Sequence, residues 1–258
     1  MAGSAARRCS TWRPGPGHSD GVTVPDDQPW IVVGVDHSPA AQRAAAWAAE
    51  LAPLLGAQVS AVHGLGVLGH AHRDEIRAEA EREWCAPLAD AGVAFRVSLR
   101  EQPAIDALVS EIGELGAALA VVGTRGPDLQ EDQAMGSTAL HLLQEAGVPV
   151  LVAPAGGGEP PPVLKCLVVG NDGHPAAEAA VRWALALSDR SGAECDVVRL
   201  PPGPLDELAE ALVARADDLG ADLVVLGASG RGAEGDPLLG SVSRHVAHRS
   251  PRAVVVVR

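Results

Sequence analysis

Residues 123–139 read GTRGPDLQEDQAMGSTA, and residues 227–243 read GASGRGAEGDPLLGSVS. Both obey one frame: Gly, two residues, Gly, nine residues, Gly, Ser. A single such frame describes an ordinary turn and helix N-cap as well as it describes a site. Two copies with the same nine-residue gap instead mark an internal repeat.

The repeat extends outward from the frame at fixed offsets. IVVGVD ends at Asp36, with Trp47 eleven and Gly56-Ala57 twenty residues later. CLVVGND ends at Asp172, with Trp183 and Gly192-Ala193 at the same offsets. Ala107-Leu108-Val109 matches Ala211-Leu212-Val213, and Leu115-Gly116-Ala117 matches Leu219-Gly220-Ala221. Gly56 and Gly116 are 60 residues apart, whereas Gly192 and Gly220 are 28 apart, so the second copy lacks one block of 32. AGGGEPPP at 155–162 reads as the linker between a first domain, 29–154, and a shortened second domain, 163–258. Residues 1–28, rich in Gly, Pro, Ser and Asp and without periodicity, read as a disordered tail.

In the first copy, apolar runs predict strands at 30–36, 57–63, 93–99, 118–122 and 148–153. Helical spacing predicts helices from Pro39 to Leu55, over 71–91, over 103–115 and over 138–146. This alternation predicts an α/β class with a doubly wound parallel sheet and right-handed crossovers. With strand order 3-2-1-4-5, the block missing from copy two is the edge strand and its helix, which leaves 2-1-4-5. Both halves end on a Val-rich fifth strand, VPVLVAP and AVVVVR, and so apolar an edge predicts pseudo-twofold pairing of the two repeats.

The formal charge of −13, a single lysine (Lys165) and the lack of Tyr argue against nucleic-acid binding, which needs basic clusters and stacking surfaces. Cys9, Cys85, Cys166 and Cys195 form no metal or disulfide spacing and read as reduced thiols. No apolar run reaches the ~18 residues of a membrane span. No apolar segment of signal-peptide type follows Arg7 and Arg8. The expectation is a cytoplasmic protein.

Ligands of doubly wound sheets bind at the C-terminal strand ends where strand order reverses. That switch point joins Asp36 to Gly123 in one half and Asp172 to Gly227 in the other. Gly123 and Gly126 are expected to take φ > 0 and to let backbone approach a ligand. Gly136-Ser137 opens a helix whose free N–H groups favour an anion. An aspartate at the end of the first strand suits a ribose hydroxyl or an adenine amino group.

Together with VVGVDHSPAAQRAAAWA and GSVSRHVAHRSPRAVVVVR, these motifs resemble the universal stress proteins, as a tandem pair covering residues 30–258. The resemblance implies a flavodoxin-like fold and, in members carrying the glycine frame, ATP binding; carboxylates near the triphosphate call for Mg²⁺ beside it. It implies a first site of Asp36, Gly123, Arg125, Gly126, Gly136 and Ser137. It implies a second of Asp172, Gly227, Ser229, Gly230, Gly240, Ser241 and Ser243. The sequence departs from the pattern in several places. Ala139 stands where a second hydroxyl is expected, and Asp128, Glu131 and Asp132 crowd the first loop. The second loop carries Glu234 and Asp236 against Arg231, and its first strand ends in Asn171-Asp172-Gly173-His174.

Other constellations carry less. GLGVLG at 64–69 follows the second strand rather than the first, which is wrong for a dinucleotide site. His37, His63, His70 and His72 share one end of the sheet and offer a weak metal alternative. His245 and His248 read as a solvated helix face. No nucleophile triad, Walker lysine or arginine finger is evident. The reading is an adenine-nucleotide-binding stress regulator or sensor, with a slow ATPase or a scaffold with degenerate sites as alternatives. Association into a homodimer is a further expectation.

Overall fold

The computed structural model describes residues 28–66, 72–126, 135–154, 156, 160, 163–228 and 239–258. The expected tail (Gln28 excepted), most of the linker, both long frame loops, His70, Ser229, Gly230 and Arg231 lie outside the described residues.

The first repeat runs β1 (Trp30–Gly34), α1 (Pro39–Leu55), β2 (Gln58–Gly64), α2 (Arg73–Glu79), a π turn (Ala80–Trp84), α3 (Ala86–Asp90), β3 (Phe95–Arg100), α4 (Ala104–Leu115), β4 (Leu119–Gly123), α5 (Ser137–Glu145) and β5 (Val150–Ala153). The second runs β6 (Cys166–Asn171), α6 (Pro175–Ser191), β7 (Glu194–Arg199), α7 (Leu205–Asp218), β8 (Leu223–Gly227), α8 (Ser241–Arg249) and β9 (Ala253–Val257). They form one sheet in the order β3-β2-β1-β4-β5-β9-β8-β6-β7. The first half is 3-2-1-4-5, and the second is 2-1-4-5 read from the far edge. Every pairing is parallel except β5 with β9, where Val150, Leu151 and Val152 face Val256, Val255 and Val254 antiparallel. The seam thus relates the repeats by a pseudo-twofold, as expected of two valine-rich edges.

The termini of α1 show how sequence becomes geometry. Ser38 Oγ accepts the Ala41 N–H at 3.2 Å, Pro39 opens the helix, and Gly56 ends it with φ 63°. Ala44, Ala45 and Ala48 are buried and let the helix lie close to the sheet.

One expected helix is not regular. The segment over 71–91 has Ile76, Ala80, Trp84 and Leu88 at every fourth residue. An α-helix of 3.6 residues per turn would rotate such a row off its face. The π turn, closed by Cys85 N–H to the Ala80 carbonyl at 2.9 Å, restores the phase and keeps Ala80, Trp84 and Leu88 buried.

On the opposite face of the first repeat, Glu111 of α4 is fully buried against the sheet. It accepts from Ser60 Oγ at 2.6 Å, Arg96 Nη2 at 2.7 Å, Ser98 Oγ at 3.0 Å and Arg100 Nε at 2.7 Å. Burial alone would raise its pKa. The bonds from Ser60, Arg96, Arg100 and Ser98 outweigh that and hold the carboxyl below its ordinary 4.5. The second repeat has no β3 to supply Arg96 and Arg100. Its counterparts of Glu111 and Ser60 are Arg215 and Asp196, which pair with each other at 2.9 Å. Loss of the strand is matched by a charge reversal on the helix. The other face of the trimmed edge stays bare, with Leu185 45% and Val197 44% exposed where Ala49 and Ala61 are buried in the first repeat.

Candidate functional site

Asp36 follows β1, and Gly123 ends the neighbouring β4, with Thr124 to Gly126 after it. The Asp36 carboxylate is pinned by the Ser38 N–H, which donates to Oδ1 at 2.7 Å. Its Oδ2 lies 3.9 Å from where a Cβ on Gly126 would sit, so the two meet across the crevice. Gly136 N–H donates to the Thr124 carbonyl at 2.8 Å and closes the base of the nine-residue loop. α5 then begins with Gly136 as N-cap, no side-chain cap and no acidic residue in its first turn. Its first N–H groups are left for an anion. Asp36 and Gly126 thus face one another, Gly136 and Ser137 open α5, and Arg125 lines a separate cavity with Thr124 and Met135.

The glycines serve a different end from the one expected. Neither Gly123, Gly126 nor Gly227 has positive φ. A Cβ on Gly123 would lie 2.7 Å from the Ala40 carbonyl carbon, and one on Gly227 2.6 Å from that of Ala176. The first glycine of each frame thus admits the opening turn of α1 or α6 against the strand end. Of these three, Gly126 alone is open to a side chain. In GLGVLG, Gly64 is likewise a packing residue, since a Cβ there would lie 2.7 Å from the backbone of Ala104, and Gly66 makes a turn with φ +62°.

In the second repeat, Asp172 Oδ1 accepts the His174 N–H at 2.9 Å and Asn171 Oδ1 the Gly173 N–H at 2.8 Å. Gly240 N–H donates to the Ala228 carbonyl at 2.6 Å, repeating the loop closure of copy one. Ser241 is exposed at the start of α8, whereas Ser243 is buried and donates to the Gly227 carbonyl at 2.6 Å. Its counterpart Ala139 is buried too. The hydroxyl missing from copy one is therefore missing from the core rather than from the crevice. A cleft of about 320 Å³ opens beside Asn171, Asp172 and Gly173 and is walled by Arg199, Leu200 and Pro201.

His63 and His72 have separate partners. His63 Nδ1 bonds the Val35 carbonyl at 2.8 Å and its ring packs 4.8 Å from that of Trp84. His72 pairs with Glu75 at 2.8 Å. No group of three potential metal ligands occurs among the described residues. His245 contacts Asp206 at 3.1 Å, and His248 Nδ1 accepts the Met135 N–H at 3.2 Å, so neither face is purely solvated. No helix among the described residues is long and apolar enough to cross a membrane.

The model of the universal stress protein family matches residues 30–154 and 205–258. A universal stress protein of Mycolicibacterium smegmatis is 27% identical over an alignment 285 positions long, covering 88% of this chain and 96% of that protein. Universal stress protein Rv2005c of Mycobacterium tuberculosis is 27% identical over 293, covering 92% and 99%. A solved universal stress protein from Archaeoglobus fulgidus superposes with TM-score 0.67 at 16% identity, covering 89% of this chain and 98% of that one, a likeness of fold. With its duplicated glycine frame and 3-2-1-4-5 sheet, the chain belongs to the universal stress protein family.

Proposed function

We propose that the crevices between β1 and β4 and between β6 and β8 bind adenine nucleotide, and that the chain acts by binding it, as a stress-response regulator or sensor. The observation that carries this reading is the meeting of Asp36 with Gly126 beside the uncapped start of α5. A carboxylate accepts from ribose or adenine, free helical N–H groups take phosphate, and the gap over Gly126 leaves room between them. Asp36 holds the nucleoside, while Arg125, Gly136 and Ser137 hold the phosphates. Gly123 positions α1.

In the second repeat, Asp172 takes the role of Asp36, and Gly240 with Ser241 that of Gly136 and Ser137. Ser229 and Gly230 complete that frame, Gly227 positions α6, and Ser243 fixes the strand end. The cleft walled by Leu200 and Pro201 offers apolar contact to a base, and its 320 Å³ sits at the low end of the roughly 300–1,000 Å³ usual for small-molecule sites. Mg²⁺ bound with the nucleotide would offset the carboxylates of the first loop, Asp128, Glu131 and Asp132. The bare face around Leu185 and Val197 supports self-association as a homodimer.

Mass analysis of small molecules released on denaturing the purified protein tests the reading. Adenine nucleotide is expected. Its absence, together with no calorimetric response to ATP, would favour the scaffold alternative.

A further inference from the structure

The seam between the repeats holds a second cavity, of about 170 Å³, that neither repeat would form alone. Thr124, Arg125 and Met135 line it from the first repeat, and His248, Arg249 and Ser250 from the end of α8. Among the described residues no carboxylate lines it. Thr124 is only 8% exposed, yet its Oγ1 has no hydrogen-bond partner among the described residues. A buried hydroxyl left unpaired is costly and marks a place where a polar partner is wanted. His248 takes the Met135 N–H on Nδ1, which leaves Nε2 as a donor. Burial, Arg249 and Arg125 lower its pKa and favour that neutral form.

Bases in the last turn of a helix often do no more than complement its dipole. The pseudo-twofold provides the comparison that separates the two cases. Aligning the frames places Ala228 on Thr124, Leu239 on Met135, and Gln144-Glu145-Ala146 on His248-Arg249-Ser250. At that mirrored position the sheet brings Arg258, whose guanidinium donates to the carbonyls of Leu143, at 2.8 Å, and Gln144. One side of the seam therefore brings its own cation to a helix end carrying Glu145. Among its described lining residues the other has two arginines, a bare hydroxyl and no anion.

We propose that this seam cavity is a binding site for a phosphoryl-sized oxyanion, clamped by Arg125 of one repeat and Arg249 of the other and hydrogen-bonded by Thr124 Oγ1 and His248 Nε2. Its volume falls below the roughly 300 Å³ of small-molecule sites, so it takes a phosphate group and not a nucleoside. The group is either free inorganic phosphate or the terminal phosphate of a nucleotide in the adjoining crevice, since Arg125 and Gly126 are consecutive. Either occupant ties the two repeats together. Only the second source rests on the nucleotide-binding reading.

The test is calorimetric titration of the full chain with inorganic phosphate, then with AMP and ATP. The variants are Arg249→Gln, Thr124→Val and, as control, Arg244→Gln, which is exposed on α8 outside the cavity. Loss of a charge-assisted contact is expected to weaken binding about ten-fold or more. Phosphate affinity lowered in the first two variants and kept in the control identifies free phosphate. ATP affinity lowered with AMP affinity kept, and no binding of phosphate alone, identifies the terminal phosphate. Phosphate and ATP bound equally by wild type and Arg249→Gln, or by neither, overturns the proposal. A Gly126→Leu variant separates the two readings, because it blocks the crevice and leaves phosphate binding intact if the seam site stands by itself.

Discussion

Asp36 and Gly126 face one another across the β1–β4 crevice, with the carboxylate 3.9 Å from the space a Cβ at 126 would occupy. Gly123, three residues earlier in the same frame, has the Ala40 backbone 2.7 Å from its own missing Cβ. The two glycines should therefore part company on mutation. Gly123→Ala is expected to lose about 1–3 kcal/mol from overpacking, while Gly126→Ala melts within a degree or two of wild type. Thermal unfolding of both variants checks this, and equal losses would contradict it.

Ser243 donates to the Gly227 carbonyl from a buried position. Ser243→Ala is expected to cost about 1 kcal/mol of stability and to leave nucleotide affinity unchanged. Denaturant melts beside a binding titration make the comparison. A ten-fold loss of affinity would place the hydroxyl on the ligand instead.

Glu111 is held ionised by Ser60, Arg96, Arg100 and Ser98. A carboxyl whose folded pKa is lowered stabilises the fold above its unfolded pKa, and that contribution fades as pH falls through the folded value. Glu111→Gln is expected to cost about 2 kcal/mol near neutral pH. The gap from wild type should narrow only below pH 4.5, the ordinary value. Urea melts across that range measure it, and a gap constant with pH would refute the assignment.

The first frame loop carries Asp128, Glu131 and Asp132, and the second only Glu234 and Asp236 beside Arg231. Removing Mg²⁺ should therefore weaken ATP binding more at the first crevice than at the second. Titrations in chelator and in Mg²⁺, with the first crevice blocked by Gly126→Leu, resolve the two. Equal metal dependence would contradict the expectation.

The architecture was legible in the sequence because its markers are rigid. Strand-ending aspartates, the tryptophans of α1 and α6 and the helix-ending Gly56 and Gly192 keep their spacing, so the missing block stood out as an edge strand with its helix. The buried Glu111 was not legible, since a lone glutamate on an amphipathic helix reads as solvated until Arg96 and Arg100 are seen beside it. The π turn at Ala80–Trp84 was foreshadowed only by a row of residues spaced by four. The role of Gly123 was misjudged because a ligand and a helix both demand the absence of a Cβ. The seam cavity was hidden because Thr124 and Arg249 come to line one cavity only through the β5–β9 pairing.

Calorimetric titration of the full chain with ATP in Mg²⁺, beside Gly126→Leu, tests the nucleotide reading most directly. The Leu side chain fills the space before Asp36 while the fold tolerates a Cβ there. Wild type is expected to bind ATP, and Gly126→Leu, still cooperatively folded, to lose the first crevice's share of that heat. Unchanged heat and affinity in Gly126→Leu would show that ATP does not bind between Asp36 and the first glycine frame.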